Sequence, residues 1–436
     1  MNLDAVRPIA DAVLYEGYLL YPYRASAVKN RSRWQFGVVM PAGYRRADPS
    51  EREFTQAQCL VEGEIDGPAA ARLTVALRFL QVQTREVQRW TGRRFLPADV
   101  LEVDGAPVTA WDEAVEQEVV FRVPERQAGA GQPAAAHEHA FHVASSWRAE
   151  KVRDHRGRLV GRVVRRRRAL RGAVTVAARP VPGPWRSAVW TVRVDNRTPL
   201  PRAAGRSAAL PSALVACHTV LGVEGGSFVS MVDHPQWAAE AVAGCVNDGT
   251  WPVLAGPPGR RDLMLCAPII LYDHPRIAPE SVGDLFDGTE IDELLTLRTL
   301  TLSDAEKRAA RGTDPRAAAL LDRTEALSPG ELGRMHGAIR HLRPAPPDDA
   351  PGRETLLVAG ERVRGGSRVR LRPGVRRTDA QDMFLAGRIA VVEAVLRDVD
   401  DNPYLAVTLA DDPAADLNRE HGRFRYFAPD EVEPLP

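Results

Sequence analysis

Apolar and polar residues alternate along "LTVALRFLQVQ" (73–83), "VTVAARPV" (174–181) and "AVWTVRVDN" (188–196). A period of two places successive side chains on opposite faces of a strand, whereas a helix needs a period near 3.6. Turn signals recur between such runs at "VDGAP", "VPGPW" and "DNRTP", and "ERQAGAGQPAAA" (125–136) reads as a loop. Many short strands with few helical stretches predict a β-sandwich over residues 1–204.

The pattern changes near residue 205. "SALVACHTVLGV" is apolar and strand-like, while "PQWAAEAVAGCVN" (235–247) spaces its apolar residues for a helix. "GTWPVLAG" and "LMLCAPIILY" read as strands. Ser303 with Glu306, and Ser328 with Glu331 behind Pro329, have the spacing of helix capping boxes. Residues 205–342 are therefore expected to form a small α+β domain with a helical tail. A Pro-rich linker follows over 343–358. The strands "GSRVRLRPG", "GRIAVVEAVLRD", "YLAVTLADDP" and "RFRYFAPDEVEPL" then predict an SH3-like small barrel over 359–436. The expected class is mainly β and multidomain.

Charge restricts the function classes. Fifty-eight bases face fifty-seven acids, and a net charge of +1 argues against a nucleic-acid-like footprint over the whole chain. No run of eighteen apolar residues predicts a membrane span, and the start "MNLDAVRPIADAV" lacks signal-peptide character. The expected location is the cytoplasm.

Three groups of residues invite a chemical reading. Asp233-His234-Pro235 and Asp273-His274-Pro275 repeat one tripeptide, each after an apolar run. With His218 they could form an acid/base or metal site. As Asx turns with an extended pre-proline His they need no such role, and that reading is simpler. Cys217, Cys245 and Cys266 lack the local spacing of zinc ligands, as does Cys59, and free cysteine packs as a small core residue. No metal, cofactor or catalytic residue is assigned.

The second group is acidic. Glu280, Asp284 and Asp287 crowd an irregular stretch ahead of Thr289, a helix cap followed by Glu290, Asp292 and Glu293. They suit a ridge that docks onto a basic partner. The third group is basic and aromatic: "YEGYLLYPYRASAVKNRSRWQF" (15–36) carries Arg24, Lys29, Arg31 and Arg33 among tyrosines. It suits an anionic partner or single-stranded nucleic acid, or else two strands joined by a basic loop with half-buried tyrosines.

The stretches "YEGYLLYPYRASAVKNRSRWQFGV", "GTWPVLAG", "APIILYDHPRIAPESVGDLFDGTEIDELLTLRTLTLSDAEK", "DMFLAGRIAVVEA" and "FAPDEVEPL" span residue 15 to the C-terminus. The chain resembles, through them, a bacterial family of actinobacterial type associated with nickel-iron hydrogenase gene clusters. The resemblance implies an accessory or maturation role beside a hydrogenase, with a hydrogenase subunit or maturation factor as protein partner. It brings no catalytic residues. Nor does it imply nickel binding, and the chain has no CxxC pair.

Overall fold

The computed structural model describes residues 4–16, 18, 33–44, 48–64, 70–124, 136–182, 186–200, 205–277, 292–328, 355–372, 385–397, 403–411 and 424–435. The chain divides into two compact units, 1–335 and 336–436. It is mainly β, built from several antiparallel sheets.

In the first unit the strands run β1 (Phe54–Glu62), β2 (Arg72–Trp90), β3 (Phe95–Ala98), β4 (Val100–Val103), β5 (Ala106–Thr109), β6 (Trp111–Arg122), β7 (His137–Val143), β8 (Ser146–Arg153), β9 (Leu159–Arg167), β10 (Leu170–Val181), β11 (Ser187–Asn196), β12 (Val215–Glu224), β13 (Ser227–Phe228), β14 (Trp251–Leu254) and β15 (Leu263–Ala267). One sheet has the order β13-β1-β11-β10-β7. The other runs β14-β15-β12-β2-β9-β8, with β3 and β6 on the opposite side of β2.

The nineteen-residue β2 is the hub. Its odd positions Leu73, Val75, Leu77 and Phe79 join Cys59, Val174 and Trp190 of the first sheet in one apolar cluster, so the two sheets share a core. Each fully buried Leu or Phe there is worth roughly 1.5–3 kcal/mol. Its even positions face a second layer. That layer begins with a helix the strand pattern did not announce, α1 (Arg7–Tyr15), whose Ala10 and Val13 cover Ala76 and Val220. β2 is thus buried on both faces as far as Val82, not half-buried as its alternation suggested.

The boundary expected at 205 falls inside the first unit. From Val215↔Leu80 to Glu224↔Arg72, β12 pairs with β2, so the strands after 205 extend the same sheet. Between them lie α2 (Arg206–Ala209) and α3 (Ala239–Ala243); the helix expected over 235–247 is only a short 3-10 turn followed by α3. The helical tail is α4 (Asp292–Leu300), α5 (Asp304–Arg311) and α6 (Pro315–Glu325), and it buries Leu295, Ala310, Leu320 and Leu321 against Leu80 and Val82. The Ser303–Glu306 capping box starts α5, with Ser303 N–H donating to Glu306 Oε2 at 3.0 Å. Asp314 caps α6 ahead of Pro315. Of the second expected capping box, Pro329 and Glu331 lie outside the described residues.

The second unit holds a hairpin, β16 (Leu356–Val358) with β17 (Glu361–Val363), and strands β18 (Arg368–Leu371), β19 (Ile389–Arg397), β20 (Pro403–Leu409), β21 (Arg425–Phe427) and β22 (Val432–Pro434). The five pair in the order β21-β20-β19-β18-β22 over a core of Val369, Val392, Leu405, Val407 and Phe427. Among the described residues β21 and β22 do not pair with each other, so the expected barrel is an open sheet. The strands that would have to close it have three residues each.

Candidate functional site

The cleft best placed to receive a partner lies at the β14 edge of the second sheet. The apolar run entering it was expected to continue as a strand through Tyr272. β15 instead ends at Ala267, because Pro268 has no N–H to donate to the ladder. Beyond that stop the chain turns outward, leaving Ile270 75% and Tyr272 82% exposed. Trp251, at the start of β14, is itself 41% exposed, and its indole N–H donates to Leu271 O at 3.2 Å.

Trp251, Pro268, Ile269 and Ile270 line a cavity of about 450 Å³ together with Phe36 and Gly37. Gly37 holds φ +54°, and a Cβ there would lie 2.8 Å from the Pro268 ring and 3.1 Å from Cys217 N. Only glycine permits that approach. Arg206 closes another wall: its Nε donates to Glu51 Oε1 at 2.6 Å and its Nη2 to Trp34 O at 2.6 Å. Cys217 also lines the cavity, but burial pushes its thiol up to about 12, so it carries no thiolate near neutral pH. Cys59 and Cys266 are likewise enclosed, and burial raises both.

The two Asp-His-Pro segments do meet, and what joins them is a staple. Ser230 donates its hydroxyl to Asp273 Oδ2 and accepts the N–H groups of Val232 and Asp233 at 3.1 and 2.7 Å. Asp273 Oδ1 accepts the Leu254 N–H at 2.8 Å, while the His274 N–H donates to Leu254 O at 2.7 Å. Leu254 is the last residue of β14, so these bonds cover part of its outer edge. His274 sits at φ +53° with Nδ1 3.1 Å from Gly256 O. His234 Nδ1 is buried without a hydrogen-bond partner. His218 belongs to neither segment. It lies within β12 with Nδ1 2.8 Å from Ala216 O, and burial holds its pKa down at about 4. Among the described residues no three His, Cys, Asp or Glu side chains are grouped to hold a metal.

Arg33, expected on a docking surface, is enclosed. Its guanidinium carbon lies 3.8, 4.4 and 5.1 Å from the ring centroids of Trp111, Trp34 and Tyr18. Nε donates to Tyr18 O at 2.7 Å and Nη2 to Asp112 O at 3.0 Å. The neighbouring tyrosines are core as well: Tyr18 donates to Asp314 Oδ2 and Tyr15 to Glu116 Oε1, each at 2.5 Å. Arg24, Lys29, Arg31, Glu280, Asp284 and Asp287 lie outside the described residues.

The exposed pair Ile270 and Tyr272 was missed in the sequence because an apolar run reads as burial. Pro268, four residues before Tyr272, was the available signal that the strand had ended. No protein-family model matches the chain, and no curated protein matches it.

Proposed function

We propose that the protein is a non-catalytic accessory or assembly factor that holds another protein against the cleft beside β14. One observation carries this reading: Ile270, 75% exposed, lines the cleft with Trp251, and Tyr272, 82% exposed, follows two residues on, and grouped exposed apolar residues mark interaction sites. A cleft lined by Trp251, Phe36 and Ile270 suits the buried centre of an interface, and a polar rim completes such a site.

The resemblance to a family associated with nickel-iron hydrogenase gene clusters names the partner class, a hydrogenase subunit or maturation factor; the cytoplasmic setting rests on the sequence start without signal-peptide character. The finer architecture belongs to the same proposal: the two sheets of the first unit form a sandwich, and the second unit is a derivative of an SH3-like barrel.

The test is affinity capture from a host induced for hydrogenase, comparing the native chain with an Ile270→Ser/Tyr272→Ser double variant. Both positions are exposed, so the variant should fold. Hydrogenase subunits or maturation proteins should copurify with the native chain, and the variant should recover them at least tenfold less. Equal recovery by both would remove the cleft from the interface. Recovery of neither partner class by the native chain would overturn the accessory reading.

A further inference from the structure

A chain of net charge +1 conceals a strong local excess. Residues 146–168, which form the β8–β9 hairpin and its exit, hold ten bases and two acids, a net +8. Register sorts these charges onto two faces. On one face Arg85, Arg165 and Arg148 lie in one row across β2, β9 and β8. There Glu113 takes Arg85 at 3.1 Å and Arg165 at 2.9 Å, and Glu150 takes Arg165 at 3.2 Å. On that face two carboxylates hold Arg85 and Arg165, while Arg148 at the β8 edge is exposed with no acid paired to it among the described residues.

The other face differs. Its rows are Thr84–Arg166–Trp147, then Gln88–Arg162–Lys151, then Trp90 with Phe95 on β3. Trp147 is 61% exposed, and Lys151 is exposed with no acid paired to it among the described residues. Arg162 lies 4.3 Å over the Phe95 ring and donates Nε to Gln88 Oε1 at 2.7 Å. Trp90 stands 4.7 Å from Phe95, centroid to centroid. Among the described residues only Arg166 meets a carboxylate here, Glu86 at 3.6 Å between two exposed side chains. Between the first two rows lies Glu86–Val164–Ala149, whose valine is fully buried, so aromatic rings and cations flank an apolar centre on a face about four strands wide.

The same face borders a cavity of about 990 Å³, whose lining includes Thr84, Glu86, Gln88, Asp99 and Asp112 together with Arg33, Arg85 and Arg206. Acceptors, amides and guanidinium groups line the cavity side, and on the β8 side Arg162 and Lys151 add cations with no carboxylate paired to them among the described residues. A polyanion with flat, hydrogen-bonding units matches both halves. Phosphates need the cations, stacking needs the rings, and base N–H donors, including the N3–H of thymine and uracil, need acceptors.

We propose that this face, formed by β3, β2, β9 and β8, binds single-stranded nucleic acid. The phosphates lie along Lys151, Arg162 and Arg166, a base stacks on Trp147, and the neighbouring bases turn toward the cavity. An acidic peptide added to the β8 edge would be held by backbone bonds, leaving Trp147 and the separation of charge between faces without a use.

The test is fluorescence anisotropy of the full chain with labelled oligo-dT and oligo-U of about 20 nucleotides at about 50 mM salt. A glutamate homopolymer of matched charge serves as competitor. Saturable binding should weaken steeply with salt. Trp147→Ala should lower affinity about tenfold, as loss of one stacked base does. Lys151→Glu should also lower it and flatten the salt slope, while Arg148→Glu, on the opposite face of the same strand, should do less. All three positions are exposed, and far-UV circular dichroism checks that each variant folds. The proposal is overturned if the native chain binds neither oligonucleotide at low salt, or if Trp147→Ala binds as tightly as the native chain. It is equally overturned if the glutamate polymer displaces the oligonucleotide at equal charge, which would mark the face as a general site for acidic proteins.

Discussion

A buried guanidinium has to be satisfied on its faces as well as its edge, and Arg33 is satisfied on both. Three aromatic rings take its faces, and two backbone carbonyls take its N–H groups. Burial lowers its pKa only to about 10, so it remains charged at neutral pH. His218 shows the opposite outcome of burial. With no acid bonded to its ring, desolvation favours the neutral form and moves its pKa from 6.5 to about 4. The folded value lies below the unfolded one, so between them the unfolded chain binds more protons. Stability should be flat above pH 6.5 and fall as the pH drops toward 4, by about 3 kcal/mol in all. Urea unfolding at pH 7, 5.5 and 4.5 tests this, with His218→Leu as reference. The loss over that window should shrink in the variant. An equal loss in both would assign the acid sensitivity to other groups.

Elements show where a local pattern stops being informative. The alternation of β2 revealed a strand and the face that meets the first sheet. It could not reveal that α1 and α4–α6 cover the other face, because a doubly buried strand differs from a half-buried one only in a few residues such as Leu80 and Val82. The capping box of α5 was legible because Ser303 and Glu306 satisfy each other locally. Asp273 was legible only in part: its turn chemistry was visible, but its bond to Leu254, nineteen residues away, depends on tertiary structure. That bond supports an argument about the β14 edge. Asp273→Ala would leave the Leu254 N–H and the Ser230 hydroxyl without their carboxylate acceptor, at about 1–3 kcal/mol. It would also open the edge to pairing with another chain. Urea unfolding should register the loss, and sedimentation velocity should show new self-association. A variant as stable and as monodisperse as the native chain would show that the edge needs no cover.

At the scale of the whole molecule, averaged quantities mislead in both directions. A net charge of +1 hides a +8 hairpin, since the balancing acids lie elsewhere in the chain. The strand-rich composition likewise hides the division into two units. Sheets continue across the boundary expected at 205, while the apolar cores separate cleanly: Val369, Val392, Leu405 and Phe427 cluster only with residues of the second unit. A core that shares no residues with its neighbour unfolds by its own free energy, so the intact chain should not melt as one two-state system. Leu405 is fully buried in the smaller core, and Leu405→Ala should cost that unit about 2–5 kcal/mol. Calorimetry of the intact chain should therefore resolve two transitions, of which the substitution lowers only one. The transition carrying the larger enthalpy, which belongs to the 1–335 unit, should stay in place because enthalpy scales with residues folded. If Leu405→Ala instead lowers a single transition of the whole chain, the two cores are energetically coupled and the units fold as one.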